Sequence, residues 1–243
     1  MTRPQRAASR VVVSRGGAPE RKLRIQRPDL VVDAPFEHAS YFFSTDASSR
    51  GPKAYDQYVL SGASPPNQIT LNDVTAINQT MRARAPHGDW LSVIAEGVLP
   101  ELSAIPEDCD LFLASEEMWL SERIPERLTE LFGAVLGPGI GISRATKVLH
   151  IKRPRLVPVC DSNVLSLMGI PGSDDRSAVA LIQHLRDQRS LLTQPLLGLQ
   201  RRLADAGYPR TLVRIADALI WSSHPDTWMA RRADTPRIKI PAI

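Results

Sequence analysis

A chain of 243 residues, 43% hydrophobic and 23% charged, can bury a full core, and none of its apolar runs approaches the roughly 20 residues that a membrane span requires. Its two cysteines, Cys109 and Cys160, exclude a disulfide framework and a four-cysteine metal or iron–sulfur site. The net charge of +4 is uneven: residues 1–28 hold eight basic residues against Glu20 alone, a net of +7, so the remainder carries −3.

Residues 1–35 contain Pro4, Gly16, Gly17, Pro19, Pro28 and Pro35 with weak periodicity. They are expected to form a basic, partly flexible arm with one short strand at Val11–Val13. Such an arm suits electrostatic attachment to a polyanion, and it also suits a plain solvated tail; it can be both. Residues 44–68 are rich in Ser, Gly, Pro and Asn and predict a long loop. Thr70-Leu-Asn-Asp73 has the form of a capping box, and Val74, Ile77 and Met81 follow at helical spacing, with Pro86 ending the helix. A second helical stretch is expected from about Trp90 to Leu102.

Between Glu96 and Glu130 stand ten acids against Arg123 and Arg127, a surface that should face away from any nucleic acid. Leu128, Leu131, Phe132 and Val135 form one apolar helical stripe, and Ile142, Ala145, Val148 and Leu149 form a second. Helices are predicted again at Ala178–Arg186, Leu196–Ala206 and Leu212–Trp221. The fold class is mostly α, without repeats.

The two stripes are joined by Leu136-Gly-Pro-Gly-Ile-Gly141. Gly139 and Gly141 can take φ > 0, and the glycines let another backbone approach closely. The turn amides and the first turn of the next helix then make a small anion site, aided by the helix dipole, that holds a phosphate without reading sequence. Arg144, Lys147, Lys152, Arg153 and Arg155 follow with no acid among them. The alternative is a helix–helix turn whose glycines serve close packing.

Asp161 then stands at the apparent start of a helix, Asp161-Ser-Asn-Val164. An N-cap accounts for an Asp there. So does chemistry on a glycosidic bond, in which a carboxylate stabilises a sugar cation and helps deprotonate water; one residue can do both. His87, Asp89 and Trp90 could line a pocket for a flipped base, with an aromatic stacker and edge hydrogen bonds, or could be a helix cap with a core Trp. Trp119, Trp221 and Trp228 are expected in the core or at a lobe contact, and Cys160 as a buried, inert thiol. The five histidines show no zinc spacing.

Leu136-Gly-Pro-Gly-Ile-Gly141, Ala145, Lys147, Arg153-Pro154, Val157-Pro158-Val159 and Asp161 resemble the helix-hairpin-helix DNA glycosylases, in a divergent branch. The resemblance covers about 30 residues, within the hairpin and catalytic segment 125–168. It implies a two-lobed helical body over residues 36–243. It also implies Asp161 as the catalytic residue, and backbone contacts from Gly137, Gly139, Gly141, Ser143, Arg144, Lys147, Lys152 and Arg153. The base pocket would be lined by His87, Asp89, Trp90 and Asn163. Ser143 occupies the position of the Schiff-base lysine of bifunctional members, so a monofunctional enzyme without metal or cofactor is expected. Its partner would be double-stranded DNA with a modified or damaged base, met by a monomer in a prokaryotic, nucleoid-associated cytoplasmic setting with no membrane involved. The family's targets are oxidised, alkylated or mismatched bases, and in some prokaryotes hypermodified phage bases. The rival reading is a non-catalytic helix-hairpin-helix DNA-binding module that uses Asp161 only as a cap.

Overall fold

The computed structural model describes residues 23–25, 30–44, 51–85, 99–137, 139–172, 174–227 and 229. Among them are eleven helices and one two-stranded sheet, so the fold is mostly α. Strands β1 (Leu23–Ile25) and β2 (Leu30–Val32) pair antiparallel, with Leu23 opposite Val32 and Ile25 opposite Leu30. Strand alternation places those four side chains on one face, and all four are buried in the core. Residues 23–25 and 30–35 belong to the folded body, while the expected strand at Val11–Val13 lies outside the described residues.

The helices are α1 (Pro35–Ser44), α2 (Pro52–Leu60), α3 (Leu71–Met81), α4 (Pro100–Ser103), α5 (Glu116–Ser121), α6 (Ile124–Val135), α7 (Ile142–Lys152), α8 (Ser162–Leu167), α9 (Asp175–Asp187), α10 (Arg189–Asp205) and α11 (Leu212–Ser223). Helix α2 lies within the segment that composition marked as loop. Pro52 sits in its first turn, where a missing N–H costs nothing, and it buries Tyr55 and Asp56. Helix α3 starts as the capping box predicts: Thr70 accepts from the Asp73 amide, and Asp73 accepts from Thr70. Of the expected helix from Trp90 to Leu102, only the α4 end is described.

Both apolar stripes are buried. Leu128, Leu131, Phe132 and Val135 of α6 are fully inaccessible, as are Ala145, Val148 and Leu149 of α7. Burial of each large side chain contributes about 1.5–3 kcal/mol. Helix α6 packs on α4, α5 and α9, whereas α1, α10 and α11 pack on one another; α7 touches α2, α3 and α9. Helix α7, which follows the glycine turn, packs into a single continuous core. No helix among the described residues is long and apolar enough to cross a membrane.

Candidate functional site

The glycine segment closes a four-residue turn: the Gly137 amide donates to Ile140 O (3.3 Å) and the Ile140 amide to Gly137 O (2.8 Å). Gly139 is its third residue, with φ 79°, in the left-handed region that favours glycine. Gly141, expected to share that freedom, instead has φ −85° and serves as N-cap of α7 with no side chain to cap it. A Cβ built on Gly137 or Gly141 would meet nothing within 4 Å. Packing among the described residues therefore does not account for either glycine. The space beside them is open to an external group, and the first amides of α7 face it without a side-chain cap.

The basic run divides sharply. Lys152 is wholly buried, its ammonium 2.6 Å from Asp73 Oδ2 and bonded to Ser64 Oγ and to Pro65 O (3.0 Å). Arg153 is 1% exposed, and its guanidinium donates to the carbonyls of Pro66 (2.9 Å), Lys152 (2.9 Å), Ile105 and Leu102 and to Asn67 Oδ1 (2.6 Å). These two residues, expected at the DNA backbone, are structural ties; the helical turn that carries them faces inward. Arg144 is half-buried, with Nε on Ala83 O (2.8 Å) and a second nitrogen on Gly139 O, so it braces the hairpin rather than offering mobile charge. Arg155 is exposed.

Lys147 lies one turn beyond Ser143 and donates to its hydroxyl (2.8 Å). Burial pulls the Lys147 ammonium below its ordinary pKa, against the attraction of the Asp161 carboxylate. The Tyr55 hydroxyl holds the Lys147 carbonyl at 2.6 Å.

Asp161 caps α8: its Oδ1 accepts from the amides of Asn163 (3.0 Å) and Val164 (3.1 Å). Its Oδ2 accepts from the indole N–H of Trp221 on α11, at 3.0 Å. Two donors saturate the lone pairs of Oδ1, while the single donor to Oδ2 among the described residues leaves it a free acceptor position on a partly exposed side chain. Trp221, expected in the core or at a lobe contact, is partly buried against the core. It sits 60 residues away on another helix, edge-on to Phe42, and no local pattern marks it as a partner of Asp161.

The approach to Asp161 is also built from α7 and α11. The Thr146 hydroxyl donates to Cys160 O (3.0 Å) and accepts from the Cys160 amide (3.1 Å), which joins α7 to the Asp161 segment as a strand would. The Val159 amide donates to Asp217 Oδ2 (2.8 Å). Asp217 belongs to a buried chain in which Arg214 bonds both Asp217 (2.5 Å) and Asp56 (2.7 Å), and Arg210 bonds Asp56 (2.9 Å). Burial pushes the Asp217 carboxyl above the usual carboxylate range, against the pull of Arg214. The Cys160 thiol is driven far above its ordinary value by burial and by the neighbouring Asp161 and Asp217, which removes it as a nucleophile.

Asn163 is half-buried and supplies a backbone amide to Asp161; His87, Asp89 and Trp90 lie outside the described residues. No group of three metal-ligating side chains occurs among the described residues. Chemically, the assembly is an oriented carboxylate with one open acceptor position and an adjacent ammonium. Both are tied to a helix whose N-terminus can take an anion. No curated protein and no solved structure matches the chain. Residues 36–224 match a family of unknown function, DUF6308, and the chain belongs to that family.

Proposed function

We propose that the protein is a monofunctional DNA glycosylase of helix-hairpin-helix type, with a two-lobed cleft. It would flip a modified or damaged base and hydrolyse its N-glycosidic bond to leave an abasic site. The observation that carries this reading is the second oxygen of Asp161. An N-cap needs only Oδ1, which the amides of Asn163 and Val164 occupy. Orientation of Oδ2 by the Trp221 indole, with one acceptor position left open, goes beyond what a cap requires. A carboxylate so held would face the positive charge that develops on the deoxyribose, and its open position would accept a proton from the attacking water. The hairpin glycines and the α7 amides would grip a phosphate without reading sequence. Ser143 lacks an amine, so it would form no covalent imine; Lys147, which donates to the Ser143 hydroxyl, is the nearby amine that could substitute. The base would be an oxidised, alkylated or mismatched one in repair, or a hypermodified phage base in defence.

One observation favours a non-catalytic DNA-binding module: the two amides on Oδ1 are those of an ordinary capped helix. The test incubates the protein with a panel of modified-base duplexes and phage genomic DNAs and measures abasic sites by alkaline strand cleavage. Abasic sites in one substrate class, lost in Asp161→Asn, are expected. DNA binding without base release from any substrate would leave the module reading in place.

A further inference from the structure

Helix α3 does not end on glycine. Its C-cap is Arg82, in the left-handed conformation with φ 50° and ψ 39°, and the Ala83 amide folds back to Ile77 O (3.2 Å). Arg84 repeats the conformation at φ 52°. A left-handed helix C-terminus usually recruits Gly or Asn, and each long side chain placed there costs roughly 1 kcal/mol or more. Half of the non-glycine residues with positive φ among those described fall within these three positions.

The segment is held in place from both sides. The Asn78 side-chain amide pairs with the Ala85 amide (2.6 Å) and the Ala85 carbonyl (3.0 Å). The Arg144 guanidinium bonds Ala83 O and, with its other arm, Gly139 O of the hairpin turn. One side chain therefore staples the 82–84 loop directly to the glycine turn. Arg82 and Arg84 are themselves exposed and make no hydrogen bond or ion pair among the described residues. They differ in this from Arg144, Lys147, Lys152 and Arg153, all of which are engaged within the protein. No acid occurs between Asp73 and Ala85 to neutralise them.

We propose that Arg82 and Arg84 form, beside the hairpin, a second DNA-backbone contact, so that the loop and the glycine turn together engage neighbouring phosphates. The proposal rests on the DNA reading above. A strained loop stapled to the turn presents two free cations next to the uncapped α7 terminus. The left-handed backbone ends α3, but neither exposed guanidinium contributes a hydrogen bond or ion pair to that cap among the described residues. Sequence-independent phosphate contact is what free guanidinium groups at that place can supply.

The experiment compares the full-length wild type with R82N/R84N and R82K/R84K. The readouts are salt-dependent binding to a fluorescein-labelled duplex of unmodified bases and thermal unfolding. Asn adopts the left-handed region more readily than Arg, so R82N/R84N should melt at or above the wild-type temperature. Its log Kd against log salt slope should fall by about 2, at roughly 0.9 per lost phosphate contact. R82K/R84K should keep most of the slope. An unchanged slope in R82N/R84N while the wild type binds would overturn the loop assignment and leave the DNA reading standing. Absence of salt-dependent binding by the wild type would overturn both. A marked fall in melting temperature of R82N/R84N would show the arginines to be structural and would also overturn the proposal.

Discussion

Lys152→Met separates two roles that one lysine could play. In the folded protein the ammonium is fully buried 2.6 Å from Asp73, whose carboxylate also accepts from the Thr70 amide (2.7 Å), the Thr70 hydroxyl (2.8 Å) and the Tyr58 hydroxyl (3.0 Å). Methionine fills most of the volume but leaves a buried carboxylate without its countercharge, a loss of about 3–5 kcal/mol. Against a typical total of about 5–15 kcal/mol that is a large fraction. With a urea m-value of about 2 kcal/mol/M, the midpoint should drop by about 2 M. Burial alone would raise the Asp73 carboxyl, but hydrogen bonds from Lys152 and its neighbours hold it below its ordinary value. The stabilisation it contributes is therefore present above the unfolded carboxylate pKa and is lost as pH falls through the lower folded value. The penalty of Lys152→Met should shrink as pH falls from the variant's higher Asp73 pKa through the lower wild-type folded value. Urea titration monitored by circular dichroism measures both effects. The double variant Asp73→Asn/Lys152→Met, with both charges gone, should lose less than the sum of the two singles. DNA affinity of folded Lys152→Met should equal that of wild type. A wild-type urea midpoint combined with weakened DNA binding would refute the buried-pair reasoning and return Lys152 to the interface.

Asp161→Asn keeps a good N-cap and should melt near the wild-type temperature, while base release falls by orders of magnitude and DNA binding persists; full excision would remove the mechanism. Trp221→Phe deletes one hydrogen bond to a charged group, worth about 1.5–3 kcal/mol, so excision should slow on the order of tenfold to a hundredfold with little change in DNA affinity. Burial lowers His38 and His150 to about 4, so their imidazole signals in NMR should not titrate between pH 7.5 and 5.0. The unfolded chain takes up those two protons as pH falls below its ordinary histidine pKa, so stability declines from about pH 6.5 toward 4, with the raised Asp217 acting in the opposite sense. Titration of both histidines near 6.5 would contradict their burial. Deleting residues 1–20 removes four arginines and Glu20 while sparing β1, and should flatten the salt dependence of DNA binding without lowering the melting temperature.

What could be read in the sequence was local. The Thr70–Asp73 box, the stripes on α6 and α7 and the Asp161 cap depend on residues within a few positions, and each lies where periodicity or spacing puts it. Helix α2 escaped notice because a Pro-Gly-Ser-rich flank resembles loop, although Pro52 in fact opens the helix. The β1–β2 pair escaped because three-residue strands carry little alternation. At the candidate site, local reading foresaw the Asp161 cap and the glycine turn but not which charges are buried. Lys152 and Arg153 follow Lys147 in one acid-free run, and which of them faces inward is decided by Asp73 and the loops at 64–67 and 102–105. Trp221, Thr146 and Asp217 were equally invisible as partners, since each meets the Asp161 segment only after the chain has folded.

The Arg153 guanidinium has a bearing on the order in which the chain folds. Its acceptors at Pro66 and Asn67 lie 87 and 86 residues upstream, and that at Ile105 lies 48 upstream. Until the end of α7 docks, both loops lack the hub that gathers their carbonyls, and closing contacts of such separation is entropically slow. Pulsed hydrogen exchange during refolding should therefore protect the amides of α6 and α7 before those of Leu99 and Ile105. Lysine at position 153 cannot supply the five donors of the fork, so Arg153→Lys should slow this last closure as well as weaken its product.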